Sequence, residues 1–175
     1  MTFGNVLSSG SSTDNVVATA SLVGDTYSTS HNLKAGSYKQ TVGDIAGTDS
    51  ANYTFSAYTT ASANYTVGQL ALTGTSIGNV STTYGTSAGV GSVTFGNVLS
   101  SGSSTDNVVA TASLVGDTYS TSHNLKAGSY KQTVGDIAGT DSANYTFSTY
   151  TTGSANYTVG QLAMTGTSIG NVSTT

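Results

Sequence analysis

The 175-residue chain has no cysteine, proline, tryptophan, arginine or glutamate, and only 7% of its residues are charged. Each absence excludes something. Without cysteine no disulfide-stapled mini-domain can form, although secretion itself stays open. Four lysines face eight aspartates for a net charge of −4, and no basic stripe with interleaved aromatics exists, so no nucleic acid is expected as a partner. No apolar run approaches the roughly 20 residues a membrane-spanning helix requires, and the first residues lack a basic stretch followed by an apolar one. No transmembrane segment is therefore expected here, and any export signal is expected to lie outside these residues.

What is present points to strands. Ser, Thr, Ala, Val, Asn and Tyr dominate, beside 22 glycines and 11 tyrosines. Strong helix formers are scarce, which favours an all-β fold. The 36% hydrophobic content is too rich for a disordered tract.

The organising feature is a long internal repeat. The string "TFGNVLSSGSSTDNVVATASLVGDTYSTSHNLKAGSYKQTVGDIAGTDSANYTFS" starts at Thr2 and again at Thr94, an offset of 92 residues. Residues 2–83 and 94–175 differ only at Ala57/Thr149, Ala61/Gly153 and Leu72/Met164, while the joining segment 84–93, "YGTSAGVGSV", occurs once. A period this long exceeds a solenoid coil or propeller blade and matches a small domain, so it predicts tandem domains rather than one enzyme. Two near-identical halves also offer the same residues twice, whereas a two-lobed active site needs different ones.

Within the repeat, "NVVATASL" from Asn15 alternates and predicts a half-buried strand with Val16, Ala18, Ala20 and Leu22 on one face. "SYKQTV" places Tyr38, Gln40 and Val42 together on a strand that follows an Ala-Gly turn signal. "NYTFSAYT" predicts a strand with Tyr53, Phe55 and Ala57 on one face, and "NYTV" a further strand carrying Tyr65 and Val67. Short strands punctuated about every ten residues by Gly, Ser, Asn and Asp predict antiparallel β-sandwich-like domains. A parallel β-helix would tolerate the composition, but the repeat lacks self-similarity near 20 to 25 residues.

"IAGTDSANYTF" from Ile45, "LKAGSYKQTVG" upstream of it and "VSTTYG" from Val80 to Gly85 together resemble the MBG and YDG type repeats of large bacterial surface adhesins, filamentous-haemagglutinin-like and similar repetitive exoproteins. The resemblance implies an extracellular, cell-surface location and all-β domains arranged end to end as an elongated array. It also implies a complete unit at about 69–159, opened by Tyr84 and Gly85, instead of a cut after residue 83. The first copy then lacks its opening strand; either the strand from Leu70 belongs to the preceding unit or is shared along the array, or the copy that begins at Leu162 supplies the missing strand to a neighbouring chain by end-to-end self-association.

Residues that could carry chemistry are few. His31 and His123 sit in "STSHNLKAG" with no nucleophile elbow nearby, so they read as solvated loop residues. Asp44 and Asp49, with their copies Asp136 and Asp141, are weak calcium candidates, because the Asp-x-Asp-x-Asp spacing of a calcium loop is missing. The competing reading is turn residues that cap their own backbone. Lys39 stands opposite Tyr38 on its strand, where a solvent-facing lysine is the default. Asn52, Asn64, Asn79, Asn144, Asn156 and Asn171 lie in Asn-x-Ser/Thr triplets, which a chain this rich in Ser, Thr and Asn generates by chance. Tyr27 and Tyr58 are candidates for exposed aromatics. No catalytic residue, metal or cofactor is predicted, and the ligand is left open. The expected function is a structural repeat segment of an adhesin stalk, its partners being neighbouring repeats. The alternative is that each repeat is itself a weak glycan- or protein-binding module acting by avidity.

Overall fold

A computed structural model describes residues 2–166 and 168–174. The chain is all-β, with two single-turn 3-10 segments, Ser50–Asn52 and Ser142–Asn144, as the helical structure among the described residues. Two compact units are present. Unit 1 holds the chain up to Leu70 together with Leu99–Asp106 and Ala143–Thr146; unit 2 holds Ala71–Val98, Asn107–Ser142 and the chain from Phe147 on. Residues of both sequence copies thus enter unit 1.

Unit 2 is built around the strand Gly128–Val134, whose alternation buries Tyr130, Gln132 and Val134 on one face. Ser113–Val115 pairs antiparallel along one edge, with Leu114 opposite Gln132. Tyr150–Thr151 and Tyr157–Gly160 share the other edge, pairing with Thr133–Val134 and with Gly128–Tyr130 respectively. A last strand, Val80–Thr83, runs beside Tyr157–Gly160 in parallel, with Tyr157 opposite Val80 and Thr158 opposite Ser81. This parallel pair departs from the all-antiparallel expectation. It arises because a segment from before the joining residues returns to the far edge of the sheet, and a crossover of that length can run parallel where a tight hairpin cannot.

Unit 1 repeats the same centre. Gly36–Val42 pairs with Ser21–Val23, with Tyr58–Thr59 and with Tyr65–Val67 in the matching registers. Among the described residues nothing takes the place of Val80–Thr83 beside Tyr65–Val67. The cores reflect this. In unit 2, Ile77, Ala112 and Val134 form one buried cluster and Tyr130, Tyr157 and Val159 another. In unit 1, Tyr38 and Val42 are buried, but Tyr65 is 43% exposed where its twin Tyr157 is 3%.

Two predicted strands are shorter than their alternation implied. Over "NVVATASL", ladder pairing covers Ser21 and Leu22 as the start of Ser21–Val23, and Val17 makes only an isolated bridge to Ala46. Over "NYTFSAYT", a 3-10 turn at Ser50–Asn52 leads in, and only Tyr58–Thr59 is strand in the first copy. Gly47, at φ +110°, lies so close to the Asn15 carbonyl that a Cβ would collide with it and leads into this turn; its twin Gly139 does the same, but there the strand Tyr145–Thr146 follows the turn.

Candidate functional site

The residues with the most elaborate surroundings are two amides and one carboxylate. In unit 2, Gln132 projects from the central strand into the space beside residues 77–93 and is fully buried. Its Oε1 accepts the Gly91 N–H at 2.7 Å, while its Nε2 donates to the Gly78 carbonyl at 3.1 Å and to Asn156 Oδ1 at 3.0 Å. Asn156 Nδ2 donates in turn to the Ile77 carbonyl at 3.0 Å, and its main-chain carbonyl accepts the Val80 N–H at 2.9 Å. The clamp therefore reads backbone alone, satisfying groups that would cost about 1–3 kcal/mol each if buried unpaired. A backbone clamp asks nothing of the incoming side chains except room. Gly91 provides it, since a Cβ there would collide with the Gly78 carbonyl. Beyond the clamp, Ile77 pairs with Val93 and reaches the Val134 cluster, and the Tyr157 hydroxyl donates to the Ala88 carbonyl at 3.0 Å.

In unit 1, Asp106 is buried and doubly engaged. Its Oδ1 accepts the Ser30 N–H at 2.8 Å, and its Oδ2 accepts the Tyr145 hydroxyl at 2.7 Å. The Tyr145 oxygen also accepts the Leu99 N–H at 3.0 Å. Beside this pair, Asn144 Oδ1 accepts the Ala35 N–H and Gln69 Nε2 donates to the Ala143 carbonyl, both at 2.9 Å. Burial, the largest single influence, works to raise the Asp106 carboxyl. The hydrogen bonds from the Ser30, Tyr145 and Ser28 hydroxyls and the Ser30 N–H outweigh it and hold the group below its ordinary value. The twin constellation has only part of this: Tyr53 donates to Asp14 at 2.7 Å and accepts the Leu7 N–H at 2.9 Å, but among the described residues no loop N–H reaches Asp14.

A cleft of unit 2, about 630 Å³, is lined by Ser87, Asp117, Tyr119, His123 and Asn124 among others. Hydrogen bonding to the Asp117 carboxylate, together with its charge, raises the Tyr119 phenol above its ordinary value. The histidines hold left-handed backbone, φ 61° at His31 and 58° at His123. Each closes a turn whose N–H bonds back to Ser28 or Ser120. Of the two, only His123 lines this cleft.

The aspartates singled out in the sequence serve their own backbone. Asp44 and Asp136 accept the N–H of the next residue, and Asp49 and Asp141 accept the N–H of Asn15 and Asn107 at 2.7 and 2.9 Å. Among the described residues no group of three or more His, Cys, Asp or Glu side chains gathers to hold a metal ion. Lys39, Tyr27 and Tyr58 are exposed, while Asn144 and Asn156 are hydrogen-bonded within the fold. Gln132, Asp106 and Tyr145 belong to no motif that marks them as site residues in the sequence. A signal for the first was present in its twin: Gln40 is the polar residue on an otherwise apolar strand face. No helix among the described residues is long and apolar enough to cross a membrane. No family model, no curated protein and no solved structure matches this chain.

Proposed function

We propose that this chain is a structural repeat segment of a bacterial cell-surface adhesin stalk, in which all-β, sandwich-like repeats join end to end and project a distal adhesive region. One observation carries the reading: residues 77–83, written in the first sequence copy, supply the clamped segment and the edge strand for Tyr157–Gly160 of the second. A repeat completed by its predecessor is suited to an array, because adding a copy adds both a new sheet and the strand that the next one needs. The work is mechanical, with backbone ladders resisting extension, and the chain performs no catalysis. Chains of two, three and four copies measured by small-angle scattering are expected to lengthen by a constant increment per copy. A maximum dimension that grows only as a compact globule does would overturn the reading.

The polar cleft beside Asp117, Tyr119 and His123 favours a second reading, in which each repeat is a weak glycan- or protein-binding module. Binding on a glycan or matrix-protein array that is lost in Tyr119→Ala would support it; a blank array would leave the spacer role.

A further inference from the structure

Twin residues in the two copies have different surroundings, and the difference defines what is uncovered. The outer edge of Tyr65–Val67 has no strand beside it, while its twin Tyr157–Gly160 carries Val80–Thr83. Behind that edge an open cleft of about 310 Å³ is lined by Gln40, Val42, Tyr58, Thr60 and Asn64. Their twins hold Ile77, Gly78 and Gly91 in unit 2. The residues that could fill the first copy's cleft are written again near the end of the chain. Ile169 and Val172 repeat Ile77 and Val80, yet they are 99% and 88% exposed, whereas Ile77 is 7%.

A second pair of surfaces matches in the same sense. Within unit 1, the loop of Ser28, Ser30 and Ala35 docks on Asp106, Tyr145 and Asn144. The loop's twin, Ser120 and Ala127, instead borders an open pocket of about 480 Å³ with Tyr84, Lys126, Gln161 and Leu162. The carboxylate's twin, Asp14 with Tyr53, is only half-buried. Among the described residues the Tyr65–Val67 edge, the 169–174 segment and the Asp14 carboxylate thus lack the mates their twins have, while the Ser120–Ala127 loop meets only the Tyr84 hydroxyl, through Ser120 and Ser122.

We infer that the 175-residue chain binds a second copy of itself head to tail. The 169–174 segment of one molecule adds a parallel strand to the Tyr65–Val67 edge of the next, and its Ser120–Ala127 loop docks on Asp14, Asn52 and Tyr53. The register follows from the internal precedent: Tyr65 opposite Val172, Thr66 opposite Ser173 and Val67 opposite Thr174. In that register Asn64 and Gln40 clamp the Ile169 and Gly170 carbonyls, and the Val172 N–H bonds the Asn64 carbonyl. The occupant is a strand rather than a side-chain ligand, because both the open edge and the amide clamp address backbone. The contact is heterologous, so one molecule uses its two surfaces on two different neighbours.

The absence of cysteine makes the test direct. Thr66→Cys chains mixed with Ser173→Cys chains under mild oxidation should give a crossed disulfide species of twice the chain mass, since adjacent strands stand about 4.7–4.9 Å apart. Thr66→Cys mixed with the out-of-register Gly170→Cys should cross-link at least about tenfold more slowly. In parallel, the mass of the unmodified chain in sedimentation should rise with concentration. Val172→Pro, which removes the N–H and lies in an exposed segment, should leave both units intact by circular dichroism and hold the mass at one chain. A single-chain mass up to about 1 mM, equal cross-linking of both pairs, or Thr66→Cys chains linking to one another as readily as to Ser173→Cys would overturn the inference.

Discussion

Gln40 and Gln132 are the same residue on the same strand, and they differ in what faces them. Gln132 is fully enclosed with three hydrogen bonds, while Gln40 lines an open cleft. Gln132→Ala leaves the Gly91 N–H and the Gly78 carbonyl without that partner in a dry site and is expected to cost about 2–4 kcal/mol. Gln40→Ala should cost less than about 1 kcal/mol, because water reaches its position. Separate melting of the two variants checks this, each serving as the other's control. A second residue-scale expectation concerns pH. Asp106 is held below its ordinary value in the fold, so its charged form contributes stability above the ordinary carboxylate range near pH 4. That contribution is lost as pH falls through the folded value. Thermal stability should therefore drop on acidification through this range, and Asp106→Asn should be less stable at neutral pH and flatter in its pH dependence. An equally steep profile in the variant would assign the acid sensitivity elsewhere.

At the scale of elements, one phrase takes two structures. "SANYT" from Ser50 opens with a 3-10 turn, and from Ser62 it leads directly into the strand Tyr65–Val67. Its local preferences are identical at both places, so the neighbours decide. The first occurrence follows Gly47 and Asp49, whose contacts with Asn15 bend the chain; the second lies against Gly36–Val42, which supplies a ladder. The strand Gly36–Val42 was legible from the alternation of Tyr38, Gln40 and Val42, since a period of two with two large apolar residues needs no distant information. The alternation of Val16, Ala18 and Ala20 marks the inward face, since the twins Ala110 and Ala112 pack on the Val134 cluster, but it overstates the ladder, because alanines bury little area and Val17 makes an isolated bridge. Gly91 is the element-scale test. Gly91→Ala drives a methyl into the Gly78 carbonyl and should destabilise unit 2 by about 2 kcal/mol or more, whereas Gly89→Ala, with open space around it, should be nearly neutral. Denaturant melts of the two single variants make the comparison.

At the scale of the molecule, two copies that differ at three positions in 82 should not be equally stable. Tyr157 and Val159 are buried on a strand whose outer edge pairs with Val80–Thr83, while Tyr65 is exposed at the corresponding edge. Native-state hydrogen exchange is expected to protect the amides of Lys131–Val134 more strongly than those of Lys39–Val42, with the difference narrowing if a second molecule covers the Tyr65 edge. Equal protection in dilute solution would mean that the added strand contributes nothing to its sheet. By itself the sequence determined the all-β class, the 92-residue duplication and the strand carrying Tyr38 and Val42, because composition and periodicity are local properties of the chain. It did not determine which copy's core is closed. The two copies read alike, and only the tertiary structure places residues 77–83 against Gln132 and Asn156 and leaves Gln40 and Asn64 uncovered. Such a long-range contact depends on what else lies within reach of a strand edge, and no residue of the edge records it.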